Sequence, residues 1–344
     1  MKERLVALRE LGKRLLPKVG YPVLYIVCLV VFSSWTFPYG RLKDRITASF
    51  NAQQRASGSH DELDIDDMGS SFVTGVKLKG VHLKTVGAEA GKTSDETSIE
   101  QITVRLSLLS LLLGNHDVSF HASAFGGTID GNLDDHAPKE KDFSATLDGV
   151  DVARLTPLVD IVGLPLQGTL SGQIKINMPE GKASKATGSV SLETEGLSVG
   201  DGKAKLKGAL ALPRLDVGTF TLVGEAKDGV LKVTKFGATG KDADVSGDGR
   251  IQLREQTSES NADLNIRFKI NDVYRTKNDM TKSLFGAPGS TAPALFELAD
   301  ARVKQSKRAD GFYGWRVRGA LSHLDFTPST TGGPATSFAP PKAQ

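Results

Sequence analysis

Asp263-Leu-Asn-Ile-Arg-Phe-Lys-Ile270 decides the fold. Leu264, Ile266, Phe268 and Ile270 alternate with Asn265, Arg267 and Lys269. Successive side chains of a strand point to opposite faces, so this octet has one dry face and one wet face. The same period of two runs upstream through Leu170, Ile174, Ile176 and Met178, then Val190 and Leu192, then Phe220 and Leu222. Leu231, Val233, Val245, Ile251 and Leu253 continue it. One-sided alternation favours antiparallel pairing, because parallel strands tend to be apolar on both faces. The expected fold is therefore mainly β: a large, curved, mostly antiparallel sheet, rolled or trough-shaped, with one or two short helices. Glycine-rich breaks at Gly126-Gly127, Gly200-Asp-Gly202 and Gly247-Asp-Gly249 supply turns and bulges.

Nearer the start, Val76, Leu78, Val81 and Leu83 suggest a first strand pair around Gly80. Lys84–Ser98 is charged and reads as a loop, and Ile102–Leu113 begins as a strand and turns helical before Gly114. Asp151–Asp160, with Val152, Leu155, Leu158 and Val159 at helical spacing, is the best helix candidate within the sheet region. Met280–Pro293 is irregular, Ala294–Leu298 adds one helical turn, and Tyr313–Leu321 is the last expected strand. The phrases Gly127-Thr-Ile-Asp-Gly131 and Gly168-Thr-Leu-Ser-Gly172, with a looser copy at Gly247-Asp-Gly-Arg-Ile251, each place a glycine before an alternating strand. Successive hairpins extending one sheet explain them without a ligand.

The 22 residues from Val19 to Gly40 carry no charge. A helix of about 20 apolar residues crosses the hydrocarbon layer. Tyr21, Leu24, Ile26, Leu29, Val31, Phe32, Trp35 and Phe37 are its anchor residues, with aromatics near both ends. Residues 1–18 hold six basic and two acidic residues, which argues for a cytoplasmic N-terminus. The exit through Ser33-Ser34-Trp35-Thr36-Phe37 is unlike a small-residue cleavage site, so a retained anchor is favoured over a cleaved leader. The expected organisation is a basic cytoplasmic segment (1–18), a single transmembrane anchor (19–40), an amphipathic and polar linker (41–70), a β-rich exported domain (71–325) and a low-complexity tail (326–344).

Beyond residue 40 the chain has 37 basic and 38 acidic residues, which argues against nucleic-acid binding. The only cysteine, Cys28, lies in the apolar segment, leaving the exported part no disulfide or thiolate chemistry. No two of the six histidines have the i, i+4 spacing of a helical zinc site, and His116 and His121 fall on opposite faces of a strand. Asp242-Ala-Asp-Val-Ser-Gly247 imitates a calcium loop, but its twelfth position is Leu253 rather than an acid. It reads as a polar turn. Asp61–Asp67 reads as a solvated acidic face. Nucleophile-elbow, phosphate-loop and dinucleotide fingerprints are missing, so neither enzyme nor cofactor is expected.

The order of features carries a resemblance. Val104-Arg-Leu-Ser-Leu-Leu-Ser-Leu-Leu-Leu-Gly114, Phe125-Gly-Gly-Thr-Ile-Asp-Gly131, Asp151-Val-Ala-Arg-Leu-Thr-Pro-Leu158 and Leu166-Gln-Gly-Thr-Leu-Ser-Gly172 follow the anchor in turn. Leu212–Phe220, Lys227–Phe236 and Gly247–Leu253 extend the series. Residues 15–325 resemble type II secretion system protein N, within the AsmA-like group of envelope proteins. The resemblance implies an inner-membrane, single-pass protein with its bulk in the periplasm, contacting other type II secretion subunits. It also implies an alternative, a lipid-handling groove with phospholipid as ligand, and it supplies no catalytic residues. Leu170, Ile174, Ile176, Phe220, Leu222, Leu264, Ile266, Phe268 and Ile270 would line such a groove, or else form an ordinary sheet core. An apolar face this wide has to be covered by protein or lipid.

Overall fold

The computed structural model describes residues 20–330 apart from 23, 26–27, 30, 33–34, 57–61, 72–73, 86–94, 108–109, 112–113, 137–139, 204, 207–209 and 291–293. The basic segment 1–18, Ile26, most of the expected loop and the tail from residue 331 lie outside the described residues.

Helix α1 (Tyr39–Ala56) leads into strands β1 (Glu62–Ser71), β2 (Gly75–Thr85), β3 (Asp95–Leu106), β4 (His116–Ala124), β5 (Gly127–His136) and β6 (Glu140–Asp151). After a 3₁₀ turn at Val152–Arg154 and helix α2 (Thr156–Val162) come β7 (Leu166–Met178) and β8 (Thr187–Val199). A small hairpin, β9 (Lys205–Leu206) and β10 (Leu210–Ala211), precedes β11 (Leu215–Lys227), β12 (Val230–Thr239), β13 (Ala243–Gln252) and β14 (Asn261–Ile270). Four short helices follow, α3 (Asp272–Arg275), α4 (Asp279–Phe285), α5 (Leu295–Ala299) and α6 (Ala301–Ser306), and β15 (Tyr313–Ala320) and β16 (Asp325–Pro328) complete the chain.

Fourteen strands form one antiparallel sheet in which each strand pairs with its neighbours in sequence, apart from the β9–β10 hairpin set between β8 and β11. The sheet is open: β1 and β16 stand at its two edges. Tight turns drive the meander. Phe125-Gly126 joins β4 to β5 and Asp228-Gly229 joins β11 to β12, each with both residues at positive φ, the backbone that a two-residue hairpin needs. The sheet starts earlier than the alternation suggests. β1 lies within the stretch read as a polar linker, and β2 is one continuous strand with an irregularity at Gly80 rather than a strand pair. Leu63, Ile65 and Met68 are the large apolar residues of β1, too few and too unevenly spaced for a period to stand out.

Edge strands expose unpaired backbone groups. Here Asn51 of α1 covers one such edge: Leu63 N–H donates to Asn51 Oδ1 at 2.8 Å, and Asn51 Nδ2 donates to Leu63 O at 3.2 Å. A side-chain amide thus stands in for a neighbouring strand. Lys43 Nζ adds a bond to Asp66 O at 3.2 Å. These contacts run α1 antiparallel to β1, so Tyr39 lies toward the Ser71 end. At the other edge β16 has only four residues and ends on Pro328, which has no N–H to offer.

A line of bulges crosses the middle strands. Register shifts fall between Leu147 and Val150, Gln167 and Thr169, Asp216 and Phe220, and Val233 and Gly237. Gly149, Gly196 and Gly218 occupy these irregularities at positive φ. Bulges bend strands and increase their twist. Beyond the line, side chains are buried: Val150, Leu166, Leu215, Val217, Ala238, Ala243 and Ile270. Helices α3–α6 close this end. Tyr274 of α3 is fully buried and its hydroxyl donates to Pro213 O. Arg275 donates to the carbonyls of Phe285, Gly286 and Ala287, which the end of α4 leaves without helical partners. Asn278 and Thr281 form a capping box at its start.

Glu297 ties these helices to the sheet. Its carboxylate accepts from Tyr313 Oη at 2.9 Å and Lys307 Nζ at 2.7 Å while only 6% exposed. Burial pushes this carboxyl up, but the bonds from Lys307 and Tyr313 outweigh it and hold it below the usual range. Asp263, bonded by Arg316 and then Arg318, is held at about 2. Both folded values lie below the unfolded ones, so their contribution is complete above about pH 4.5 and fades as pH falls toward 2. Glu297→Ala should therefore cost about 1–3 kcal/mol at pH 7, because the Tyr313 hydroxyl loses its partner. Melting temperature followed from pH 7 to 3 should fall less steeply in the variant than in the parent. Coincident curves would show that Glu297 is not a tie.

Candidate functional site: an open apolar face

Register shows how far the dry face extends. Val76, Val104, Phe120, Gly131, Ala145, Ile174, Val190, Gly224, Val233, Gly249, Leu264, Val317 and Phe326 stand side by side on thirteen successive strands. No member of this row is polar. At about 4.8 Å per strand it spans about 58 Å. A parallel row runs Met68, Leu78, Ile102, Ala122, Ile129, Leu147, Gly172, Leu192, Leu222 and Phe236.

Glycines in these rows leave room for a neighbour's side chain. A β-carbon on Gly131 would stand 2.3 Å from Phe120 Cζ, and one on Gly249 would stand 2.9 Å from Leu264 Cδ2. Large and small residues therefore alternate across strands, and the surface stays level without losing its apolar character. Phe120 and Phe143 stack over β5 with centroids 6.4 Å apart, and Phe220 meets Phe236 edge-on at 4.9 Å.

Cover is uneven. On the β1–β2 side Ile65, Met68 and Val81 are buried, beside α1. At the other end Phe296 of α5 packs on Phe268, Tyr313 and Phe285. Between them, from β4 to β12, the larger side chains Phe120, Ile129, Phe143, Leu147, Ile174, Ile176, Leu192, Leu222, Leu231 and Phe236 are only half-buried, and Leu133 is exposed. This band covers seven strands, about 29 Å. No second layer lies on it among the described residues. Leu106, Leu111, Leu133 and Leu321 are exposed toward the strand ends opposite the helical closure.

The nine residues expected to line one face do share it, but they divide. Phe220, Phe268 and Ile270 belong to the packed cluster around Tyr274 and Phe285. Ile174, Ile176, Leu222, Leu264 and Ile266 lie in the half-covered zone, and Leu170 adjoins the bulge line. Phe120, Ile129, Phe143, Leu147 and Phe236 join the band without being singled out by alternation. Ile129 and Phe236 stand close to glycines and Leu147 adjoins a bulge, whereas Phe120 and Phe143 alternate cleanly with polar neighbours.

Among the described residues no group of three or more His, Cys, Asp or Glu is arranged to hold a metal ion. Asp242, in the turn that imitates a calcium loop, is buried and accepts the Asp216 N–H at 3.0 Å, tying the β12–β13 turn to β11. Of the expected anchor, the described positions between Gly20 and Thr36 are helical. Tyr21, Leu24, Leu29, Val31, Phe32 and Trp35 are exposed, as is Phe37 just beyond. Among the described residues, no helix is long and apolar enough to cross a membrane. Comparison with family models, curated proteins and solved structures finds no match.

The division of the face has a measurable consequence. Phe268→Ala, which removes a ring wedged between Phe296 and Tyr313, should cost about 3–5 kcal/mol. Ile266→Ala, two residues away on the same strand but outside the packed cluster, should cost clearly less. Equal losses in chemical denaturation would place a packed layer over both.

Proposed function

We propose that this chain is a membrane-tethered, non-enzymatic carrier whose open apolar band takes up the acyl chains of phospholipid. The observation that carries the reading is the half-exposed seven-strand band between α1 and the helical closure. Soluble proteins rarely leave so wide an apolar surface bare. Its lining is aliphatic and aromatic, with polar side chains at its margins alone among the described residues (Thr194 at the bulge line, His116, Asp135 and Lys141 at the far strand ends), which suits tails rather than a specific small molecule. A band of about 29 Å is longer than one leaflet's tails, roughly half of a 30 Å hydrocarbon core. The apolar segment before α1 enters at the Ser71 end of β1, the end away from the closure, which favours loading from the membrane side. This reading places the anchor in the inner membrane of a Gram-negative envelope and the sheet in the periplasm.

A second reading is a component of the type II secretion system that works through contacts with other inner-membrane and periplasmic subunits. Its support is the resemblance of residues 15–325, whose marker phrases lie on successive elements of one sheet. Because α1 occupies the β1 edge, such contacts would fall on the wet face or on β16. In cells, crosslinking should then recover other secretion subunits, and unimpaired export in a deletion strain would count against a necessary role.

The carrier reading is tested on the full-length chain purified in a mild detergent. Mass spectrometry should find co-purifying phospholipid, and Leu192→Asp, in the centre of the band, should abolish it while circular dichroism stays unchanged. A folded parent that carries no lipid, or a variant that carries as much, would refute it.

A further inference from the structure

The wet face of β1–β6 carries a feature that the apolar band does not use. A furrow of about 600 Å³ runs across these strands, floored by small polar side chains such as Thr103, Ser119, Ser144 and Thr146. Their neighbours Ile102, Phe120 and Ala145 belong to the dry face, so the furrow lies on the opposite side of the sheet.

Two cations border it. Lys77 is half-buried and Arg105 is exposed, and neither makes an ion pair among the described residues. Lys79, two residues along β2 on the same face, is by contrast paired with Asp67. Lys77 and Arg105 flank Thr103 from adjoining positions, since Lys77 pairs directly with Thr103 and Arg105 sits two residues further along β3. Gly75 makes room for the arginine stem, because a β-carbon there would stand 2.9 Å from Arg105 Cγ. The one carboxylate lining the furrow, Asp130, is engaged by His121, with Nδ1 and Oδ1 2.6 Å apart. A half-buried ammonium without a counter-charge favours an incoming anion, and the guanidinium fork suits phosphate or carboxylate oxygens.

The surroundings limit what that anion can be. One step past the Ser119–Asn132–Ser144 row stands an acidic row, Asp117, Asp134 and Asp142, on the same face of β4, β5 and β6. A polyanion laid along the furrow would meet these carboxylates. A ligand with one anionic group and several hydroxyls avoids them, with the hydroxyls over the Ser, Thr and Asn floor.

We infer that this furrow binds a singly charged phosphate ester of a polyol, held by Lys77 and Arg105. That chemistry belongs both to a soluble glycerophosphodiester and to a phosphatidylglycerol headgroup. The site stands apart from the lipid-tail reading, because a lipid lying on the dry face cannot reach it through the sheet.

The test uses the full-length chain in a neutral detergent. Calorimetric titration with glycerophosphoglycerol, a diester with a single negative charge, is one arm, and flotation with phosphatidylglycerol vesicles against phosphatidylcholine vesicles is the other. Lys77→Gln or Arg105→Gln should each weaken binding about tenfold, the effect of one charge-assisted bond worth about 1.4 kcal/mol. The double variant should abolish it. Lys79→Gln, already satisfied by Asp67, should leave it unchanged. Binding of the soluble ester that the double variant loses supports a soluble ligand, and loss confined to phosphatidylglycerol flotation supports a headgroup. No binding in either arm, or binding that survives the double variant or falls equally in Lys79→Gln, overturns the site. The lipid-extraction result is independent of all these outcomes, so either reading can fail alone.

Discussion

A single antiparallel layer has to hide one of its faces, and among the described residues protein covers only the two ends of that face. Helix α1 stands beside Ile65 and Met68, and the α3–α6 helices cover Phe268 and Ile270. Everything between depends on how the middle of the dry face is kept from water. The usual solution for such a surface is a second sheet or a row of helices. Among the described residues the middle strands have neither, although their hydrogen-bond ladder is continuous from β1 to β16.

Local chemistry maintains that arrangement. The Asn51 amide copies the bonding of a missing strand and so seals an edge that would otherwise invite pairing with another chain. Bulges at Gly149, Gly196 and Gly218 mark where half-exposed side chains give way to buried ones. Gly131 and Gly249 let Phe120 and Leu264 lie across their neighbours. Larger residues at these positions would roughen the dry face or push strands apart. The glycine richness of the chain is therefore connected with the smoothness of its apolar surface as well as with its turns.

Much of this was legible before the fold was described. Strict alternation in Asp263–Ile270 identified β14, and the recurring glycine phrases pointed to a sheet that grows hairpin by hairpin. Alternation could not distinguish Phe268, packed under Phe296, from Ile266, outside that cluster, because period reports which face a residue is on and not what lies above it. β1 escaped notice because its strand is largely acidic and polar, held in place by pairing with β2 and by α1. The stretch around Met280 is a helix capped locally by Asn278 and Thr281, three residues apart, and tied at its end by Arg275. The furrow beside Lys77 and Arg105 was invisible in sequence, since its members come from several strands.

Face-resolved photocrosslinking in living cells tests the central claim most directly. A benzophenone amino acid placed at position 222 would sit on the dry face, and one at position 221 would sit on the wet face of the same strand. If acyl chains cover the band, irradiation should attach phospholipid at 222 and none at 221. Protein adducts at 222, or equal labelling at both positions, would contradict the account.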